Sequence, residues 1–437
     1  MSRIVSADRL NCIESNVWVE FIELANKYKP RVNLGQGFPD FPAPEHICRA
    51  LASTVVNPDR PLINQYTRDC GHPRLTTVLS QLYGQLVGRP IDADSEILIT
   101  SGAYQSLFNT FMAYVNPGDE VIIIEPYFDC YEPMTRLAGG IPVFVPLRPR
   151  RQSPPVDGDE DSRSPLSSSS ADWILDPEEL ESKFSDKTKF IVVNTPNNPL
   201  GKVYTREELE LIGRLCQKYD CLVVMDEVYE WLIYPGSPQR QHTRMASLPG
   251  MWDRTLTIGS AGKTFSVTGW KIGWTYGPRD LIRPLYLIHQ SNVSSCATPI
   301  QEALAIGFEL ELKRLDTDQS YWRQLTESLV GKRDKLSAVL STNRLMPTVP
   351  DGGYFMVADC SQLLATEKVD ITGESGPTRG WRFARWLSKH RGLQVIPVSA
   401  FYSREHNCLA ENLIRFCFCK TDRSLETAEQ IIRELIG

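Results

Sequence analysis

Thr255-Leu-Thr-Ile258-Gly-Ser260-Ala-Gly-Lys263-Thr-Phe-Ser-Val-Thr-Gly-Trp-Lys271 reads as an apolar strand, Thr255 to Ile258, that runs into a turn of small residues. Lys263 stands in that turn, with the Ser260 hydroxyl three residues before it and the Lys271 cation eight residues after. An amine on a turn at a strand end can form an imine with a carbonyl. A hydroxyl and a second cation nearby can hold a phosphate. The plain alternative is a solvated loop lysine, since most lysines are exposed.

The chain around this stretch alternates apolar runs with helical patterns. Glu96–Thr100, Glu120–Glu125, Phe190–Asn194, Cys221–Asp226, Thr255–Ile258 and Ile272–Tyr276 read as strands. Several are continuously apolar and rich in Val and Ile, as expected of strands covered on both faces. Thr205-Arg-Glu-Glu208 is a capping box that opens an amphipathic helix through about Tyr219. This is the βαβ rhythm of a mostly parallel α/β sheet. Residues 148–172 interrupt it with a Pro-, Ser- and Asp-rich stretch that is expected to be a mobile surface loop. From about Asn292 the pattern changes to long amphipathic helices, then short strands near Gly353–Ala358 and Leu413–Phe418, then a last helix. The first forty residues hold Trp18 and the segment Gly35-Gln-Gly37-Phe-Pro-Asp-Phe-Pro-Ala-Pro44, which reads as an arm that closes over something.

Bulk properties exclude several classes. The 437 residues suffice for two or three domains, and 42% hydrophobic with 23% charged is the composition of a soluble globular protein. A net charge of −6 carries no electrostatic footprint for nucleic acid. No run approaches the roughly 18 apolar residues of a membrane span, and the N-terminus has no apolar signal core. The eleven cysteines are scattered. Cys417 and Cys419 flank Phe418 without a second ligand pair at metal spacing, and the histidines form no cluster, so no metal is expected. Reduced thiols suit the cytoplasm, with mitochondria as the alternative compartment.

The strand ends carry a set of groups that meet the needs of pyridoxal 5'-phosphate one by one. Its pyridine nitrogen needs a carboxylate to stay protonated, and Asp226 ends an apolar strand. A strand-end cap is the other reading of Asp226. The ring oxygen needs donors: Tyr229 lies three residues on, and Asn198 sits in the turn Asn194-Thr-Pro-Asn-Asn198-Pro-Leu-Gly201. The phosphate needs N–H groups at a helix start. Thr100-Ser-Gly102-Ala103-Tyr104-Gln105 supplies a strand, a small-residue turn and a helical pattern from Gln105 to Val115, with Ser260 and Lys271 adding side chains. Tyr127 and Phe128 both qualify to stack on the ring, or to pack in the core. Arg415 lies within the apolar run Leu413–Phe418, where it either pairs with a structural acid or binds an anion such as a substrate carboxylate.

These segments resemble, in order and spacing, the aspartate-aminotransferase superfamily of fold type I pyridoxal-phosphate enzymes. Val32-Asn-Leu-Gly-Gln-Gly37-Phe-Pro-Asp-Phe, Asn64-Gln-Tyr66-Thr, Glu125-Pro-Tyr-Phe-Asp-Cys-Tyr131 and Ile258-Gly-Ser-Ala-Gly-Lys263-Thr-Phe-Ser look like its kynurenine aminotransferase subgroup, also called glutamine transaminase K or cysteine-S-conjugate β-lyase. The resemblance implies an α/β fold. A large domain would hold a mostly parallel seven-stranded sheet sandwiched by helices over residues 46–305, with a smaller α+β domain over 306–437 and an N-terminal arm over 1–45. It implies that Lys263 joins the cofactor and shuttles a proton, that Asp226 pairs with the ring nitrogen, and that Asn198 and Tyr229 bind the ring oxygen. Phe128 would stack on the ring. Gly102, Ala103, Ser260 and Lys271 would hold the phosphate, near Tyr104. Tyr66 would reach across from the other subunit of a homodimer with shared active sites. Arg415, Asn198 and the Gly37 amide would clamp the substrate carboxylate, while Trp18, Tyr104 and Phe355 line the pocket.

One departure stands out. Relatives often carry an aromatic residue and a histidine or threonine before the segment that here reads Cys296-Ala-Thr298, and this chain has Ser294-Ser295. A wider or more polar pocket is expected there. The activity implied is transfer of the amino group of kynurenine, glutamine or an aromatic amino acid to a 2-oxo acid. β-Elimination from cysteine conjugates is an expected side activity at the same site. A non-enzymatic regulator of this fold would need a DNA-binding module, and none is visible. A nicotinamide dehydrogenase would need G-x-G-x-x-G after the first strand, which is absent.

Overall fold

Seven strands build the larger sheet: β1 (Ile97–Thr100), β2 (Glu120–Glu125), β3 (Ile141–Pro146), β4 (Thr188–Asn194), β5 (Leu222–Asp226), β6 (Thr255–Ser260) and β7 (Gly273–Tyr276). The computed structural model describes residues 4–11, 13, 16–150, 169–239, 241–366 and 368–436. The strand order is β1-β7-β6-β5-β4-β2-β3. Strands β2 to β6 run parallel to one another, while β7 is antiparallel to both β1 and β6. The Val and Ile runs of β4 and β5 are buried almost throughout, as strands covered on both faces must be. β3 is the one strand of this sheet that its sequence does not announce. Pro142 and Pro146 interrupt its run, and such prolines are tolerated because β3 lies at the sheet edge.

The capping box forms as expected: the Thr205 hydroxyl accepts from the Glu208 N–H, and the Glu208 carboxylate accepts from the Thr205 N–H. The helix it opens spans Arg206–Lys218 and lays Leu209, Ile212 and Leu215 on the core. The helix expected from Gln105 starts two residues earlier, as Ala103–Tyr114.

The surface-loop reading of residues 148–172 is corrected at both ends. Arg148–Pro149 pairs antiparallel with Trp173–Ile174. Ser170 is buried, and its hydroxyl bonds the Asp351 carboxylate at 2.8 Å. The intervening 151–168 lie outside the described residues.

A second sheet contains β8 (Met346–Thr348), β9 (Phe355–Asp359), β10 (Ile396–Pro397) and β11 (Leu413–Cys417) in the order β8-β9-β11-β10, antiparallel throughout. The helix Tyr321–Thr342 packs on β8 and β9 and on the last helix, Asp422–Arg433. The N-terminal segment is stitched to this sheet by its backbone. Val32–Asn33 pairs in parallel with Leu393–Gln394, and the Cys417 N–H donates to the Leu34 carbonyl at 2.6 Å. This fixes Gly35 to Phe38 over the carboxyl ends of the larger sheet's strands, which is where open α/β sheets bind ligands.

Candidate active site

Strand β6 ends at Ser260 and breaks into one helical turn, Ala261–Thr264, which aims Lys263 into a cavity of about 340 Å³. Its Nζ donates to the Tyr354 hydroxyl at 3.0 Å and lies 3.5 Å from the Gly37 carbonyl oxygen. Loss of water around the amine, reinforced by the Lys271 and Arg415 cations, draws its pKa down to about 8. A solvated loop lysine would show neither the contacts nor the shift.

The preceding strand β5, paired in parallel with β6, delivers Asp226 to the same cavity. Its Oδ2 accepts from the Tyr131 hydroxyl at 2.6 Å, while its Oδ1 has only a long contact, 3.4 Å, from the Val228 N–H. Burial pushes this carboxyl up to about 6 against the pull of those donors. A buried acid so placed gains from a cationic N–H opposite it. Glu227 points elsewhere and sits 2.8 Å from His242. Tyr229, buried, stands edge-on to Tyr354 with ring centroids 5.0 Å apart. Burial raises its hydroxyl pKa, so it stays a donor.

The turn after β1 makes an anion cradle. Gly102 has φ +77°, and a Cβ there would lie 3.4 Å from Lys271 Nζ, in the space an anion needs. The helix Ala103–Tyr114 follows directly, and its first N–H groups have no partner within the helix. Ser260, Lys271, Gly102 and Ala103 all line the cavity. A phosphate fits this donor set, a protonated ring nitrogen fits Asp226, and a carbonyl fits the Lys263 amine.

The surroundings of Arg415 bear on the two readings left open by its position in the chain. It is fully buried on β11, yet none of the ion pairs among the described residues includes it. Its Nη1 donates to Asn198 Oδ1 and its Nη2 to the Gly35 carbonyl, both at 2.7 Å, and its Nε has no partner. The guanidinium lies 3.9 Å from the Phe355 ring centroid, 5.0 Å from Phe401 and 5.3 Å from Trp18. Aromatic faces compensate part of the cost of burying a charge, and the nearby Asp129 carboxylate acts on it without forming an ion pair, so donors of the guanidinium remain for an anion. Gly37 must be glycine here, because a Cβ would sit 2.4 Å from Phe355 Cζ.

The cavity thus brings together every residue expected from the sequence except Tyr66. Tyr66 is 96% exposed and borders a separate surface cleft beside Pro61 and His72. Of the two stacking candidates, Phe128 faces the cavity. Tyr127 packs against Phe144 and donates its hydroxyl to Glu132. Tyr104 is partly exposed at the rim, edge-on to Phe128. Ser294 and Ser295 do not line the cavity of their own chain.

Three partners escaped the sequence reading. Tyr131 reaches Asp226 from 95 residues away, Tyr354 reaches Lys263 from 91, and Asn194 Oδ1 accepts from the Asn198 N–H to hold that turn. Tyr131 had a local signal, since it lies one helical turn after Phe128. Tyr354 had none beyond its place beside Phe355.

This site is that of a pyridoxal-phosphate-dependent aminotransferase, and the chain belongs to the aminotransferase class I and II family, whose model matches residues 29–432. Among individual proteins, it is 49% identical to kynurenine–oxoglutarate transaminase 3 of Homo sapiens over 431 residues, 99% of this chain and 90% of that one. It is 45% identical to kynurenine–oxoglutarate transaminase 1 of Homo sapiens, covering 99% of each chain. Of solved structures, Bna3p from Saccharomyces cerevisiae superposes with a TM-score of 0.87 at 31% identity, covering 99% of both chains. Thermus thermophilus aspartate aminotransferase with maleate does so at 0.81 and 27%, again covering 99% of both.

Proposed function

We propose that this enzyme transfers the amino group of kynurenine, glutamine or an aromatic amino acid to a 2-oxo acid. The observation that carries the reading is the buried Arg415, in no ion pair among the described residues, in the same pocket as the Lys263 amine and walled by Trp18, Tyr104, Phe128 and Phe355. Aromatic walls suit an aromatic or extended side chain. The similarity to kynurenine–oxoglutarate transaminases along nearly the whole chain supports the same donor class.

Pyridoxal phosphate supplies an electron sink for charge that develops at the substrate α-carbon. The protein's own groups do the rest. Arg415 and Asn198 orient the carboxylate through charge-assisted hydrogen bonds. Lys263 Nζ, with a pKa near 8, removes and returns the α-proton close to neutral pH, where a base of matched pKa works best. Asp226 would keep a proton on the ring nitrogen when the cofactor is bound. Gly102, Ala103, Ser260 and Lys271 would hold the phosphate, and Phe128 would stack on the ring.

Elimination from cysteine S-conjugates begins with the same proton removal, so the same residues support it as a side activity. We further propose a homodimer in which Tyr66 completes the partner's phosphate site; its exposure on the surface supports this. The division into an arm over 1–45, a large unit over 46–305 and a small unit over 306–437 belongs to the same reading, with the helix Thr298–Leu312 carrying the chain from one unit to the next.

A panel of amino donors against two or three 2-oxo acids tests the function, with pyruvate release from an S-aryl cysteine reporting elimination. Turnover of kynurenine, glutamine or phenylalanine above aspartate and alanine is expected. Preference for aspartate or a small aliphatic donor would overturn it.

A further inference from the structure

We propose that the Tyr354 hydroxyl is a positioning group for the reactive amine of Lys263, accepting one of its N–H bonds and so directing its lone pair into the cavity. The inference rests on Lys263 being the reactive amine.

The geometry assigns the direction of each bond. Tyr354 Oη lies 2.9 Å from the Gly37 carbonyl oxygen, which can only accept, and within hydrogen-bonding reach of the Tyr229 hydroxyl, so the phenol's single proton has acceptors other than the amine. Its oxygen lone pairs then face Lys263 Nζ at 3.0 Å and accept from it. A phenol that donated to the amine would block the lone pair a base needs; here the proton goes to Gly37 or Tyr229 instead. Tyr354 is wholly buried, and burial beside Tyr229, Cys419 and Cys417 raises its pKa well above the ordinary phenol value, so the proton stays in place.

The neighbouring residue sharpens the reading. Tyr354 touches the amine, while Phe355 lies against the Arg415 guanidinium at 3.9 Å. One dipeptide at the start of β9 therefore sets both the base and the carboxylate anchor, and hence where an α-carbon rests between them. Both rings abut Gly37: a Cβ there would meet Phe355 Cζ at 2.4 Å and Tyr354 Cε2 at 3.5 Å. The contact thus joins three distant parts of the chain, with 317 residues separating Tyr354 from Gly37 and 91 separating it from Lys263.

Tyr354→Phe tests this by deleting one oxygen and keeping the ring. The first readout needs no cofactor: the rate at which acetic anhydride acetylates Lys263 in the apoprotein, followed by peptide mass analysis across pH. Loss of an acceptor for the ammonium should lower the acetylation midpoint by roughly one pH unit. The second readout is steady-state kinetics of the loaded enzyme. There kcat should fall roughly tenfold to a hundredfold, with KM for the amino donor nearly unchanged, the mark of a group acting on the proton-transfer step. As a second variant, 3-fluorotyrosine placed at 354 keeps the hydroxyl and the fold but makes its oxygen a poorer acceptor, and should move the midpoint in the same direction. An unchanged midpoint and kcat in either folded variant overturns the proposal. Borohydride fixation of the cofactor on a lysine other than Lys263 would instead remove the reading on which it rests.

Discussion

Replacing Arg415 by Lys separates recognition of the substrate carboxylate from everything else the site does. Two of the five N–H donors of the guanidinium are spent on Asn198 Oδ1 and the Gly35 carbonyl, and Nε is unpartnered. The remaining donors match a bidentate carboxylate. Charge-assisted hydrogen bonds contribute about 1.5–3 kcal/mol each, so a fork of two is worth about 3–6 kcal/mol. A lysine in this place keeps a charge and recovers one bond at most, because its ammonium is a point donor and not a planar fork. The expected loss in kcat/KM for an α-amino acid is then about 1.5–3 kcal/mol, or roughly 10- to 200-fold. Arg415→Ala, which leaves neither bond, should lose roughly 10²- to 10⁴-fold. The assay compares each amino acid with the amine that lacks its carboxylate, in wild type and variant, after thermal unfolding has shown that both are folded. The amine, slow throughout, should be affected little by the substitution. Equal losses for the acid and the amine would refute the argument, because they would place Arg415 in the fold and not at the carboxylate.

Removal of the Tyr131 hydroxyl, as Tyr131→Phe, takes the 2.6 Å donor from Asp226 and should raise its pKa above about 6; the pH below which the apoprotein loses affinity for pyridoxal phosphate should rise with it. For the apoprotein itself, a carboxyl raised from 3.8 to about 6 contributes stability that is present below pH 3.8 and lost as pH climbs through 6. The cofactor's cationic ring should cancel that loss, so the gap in Tm between loaded and apo protein should widen from pH 4 to pH 7. Gly102→Ala forces a side chain into φ +77°, ψ 165° beside Lys271, at a backbone cost of about 1–3 kcal/mol; weaker phosphate anchoring should appear as faster cofactor loss on dialysis, with the amino-donor KM less affected.

How much of this site could be read from the chain depended on distance along it. Lys263, Asp226, Asn198 and Gly102 each lie at the end of an apolar strand, so local pattern located both the element and the functional group. Arg415 was visible because a cation inside Leu413–Cys417 contradicts its surroundings. Its meaning was not, since only the fold shows that no carboxylate among the described residues forms an ion pair with it. Tyr131 and Tyr354 act through contacts across 95 and 91 residues, which no periodicity reports. β3 was missed because Pro142 and Pro146 mask an edge strand. The ends of 148–172 were misread because polar composition says nothing of the pairing of Arg148–Pro149 with Trp173–Ile174.

The most direct test of the account is borohydride reduction of the enzyme loaded with pyridoxal phosphate, followed by proteolysis and mass mapping. A pyridoxyl group on Lys263, lost in Lys263→Ala together with several orders of magnitude in transamination, is the predicted result. A label on Lys271 or any other lysine, or wild-type rates in Lys263→Ala, would contradict it.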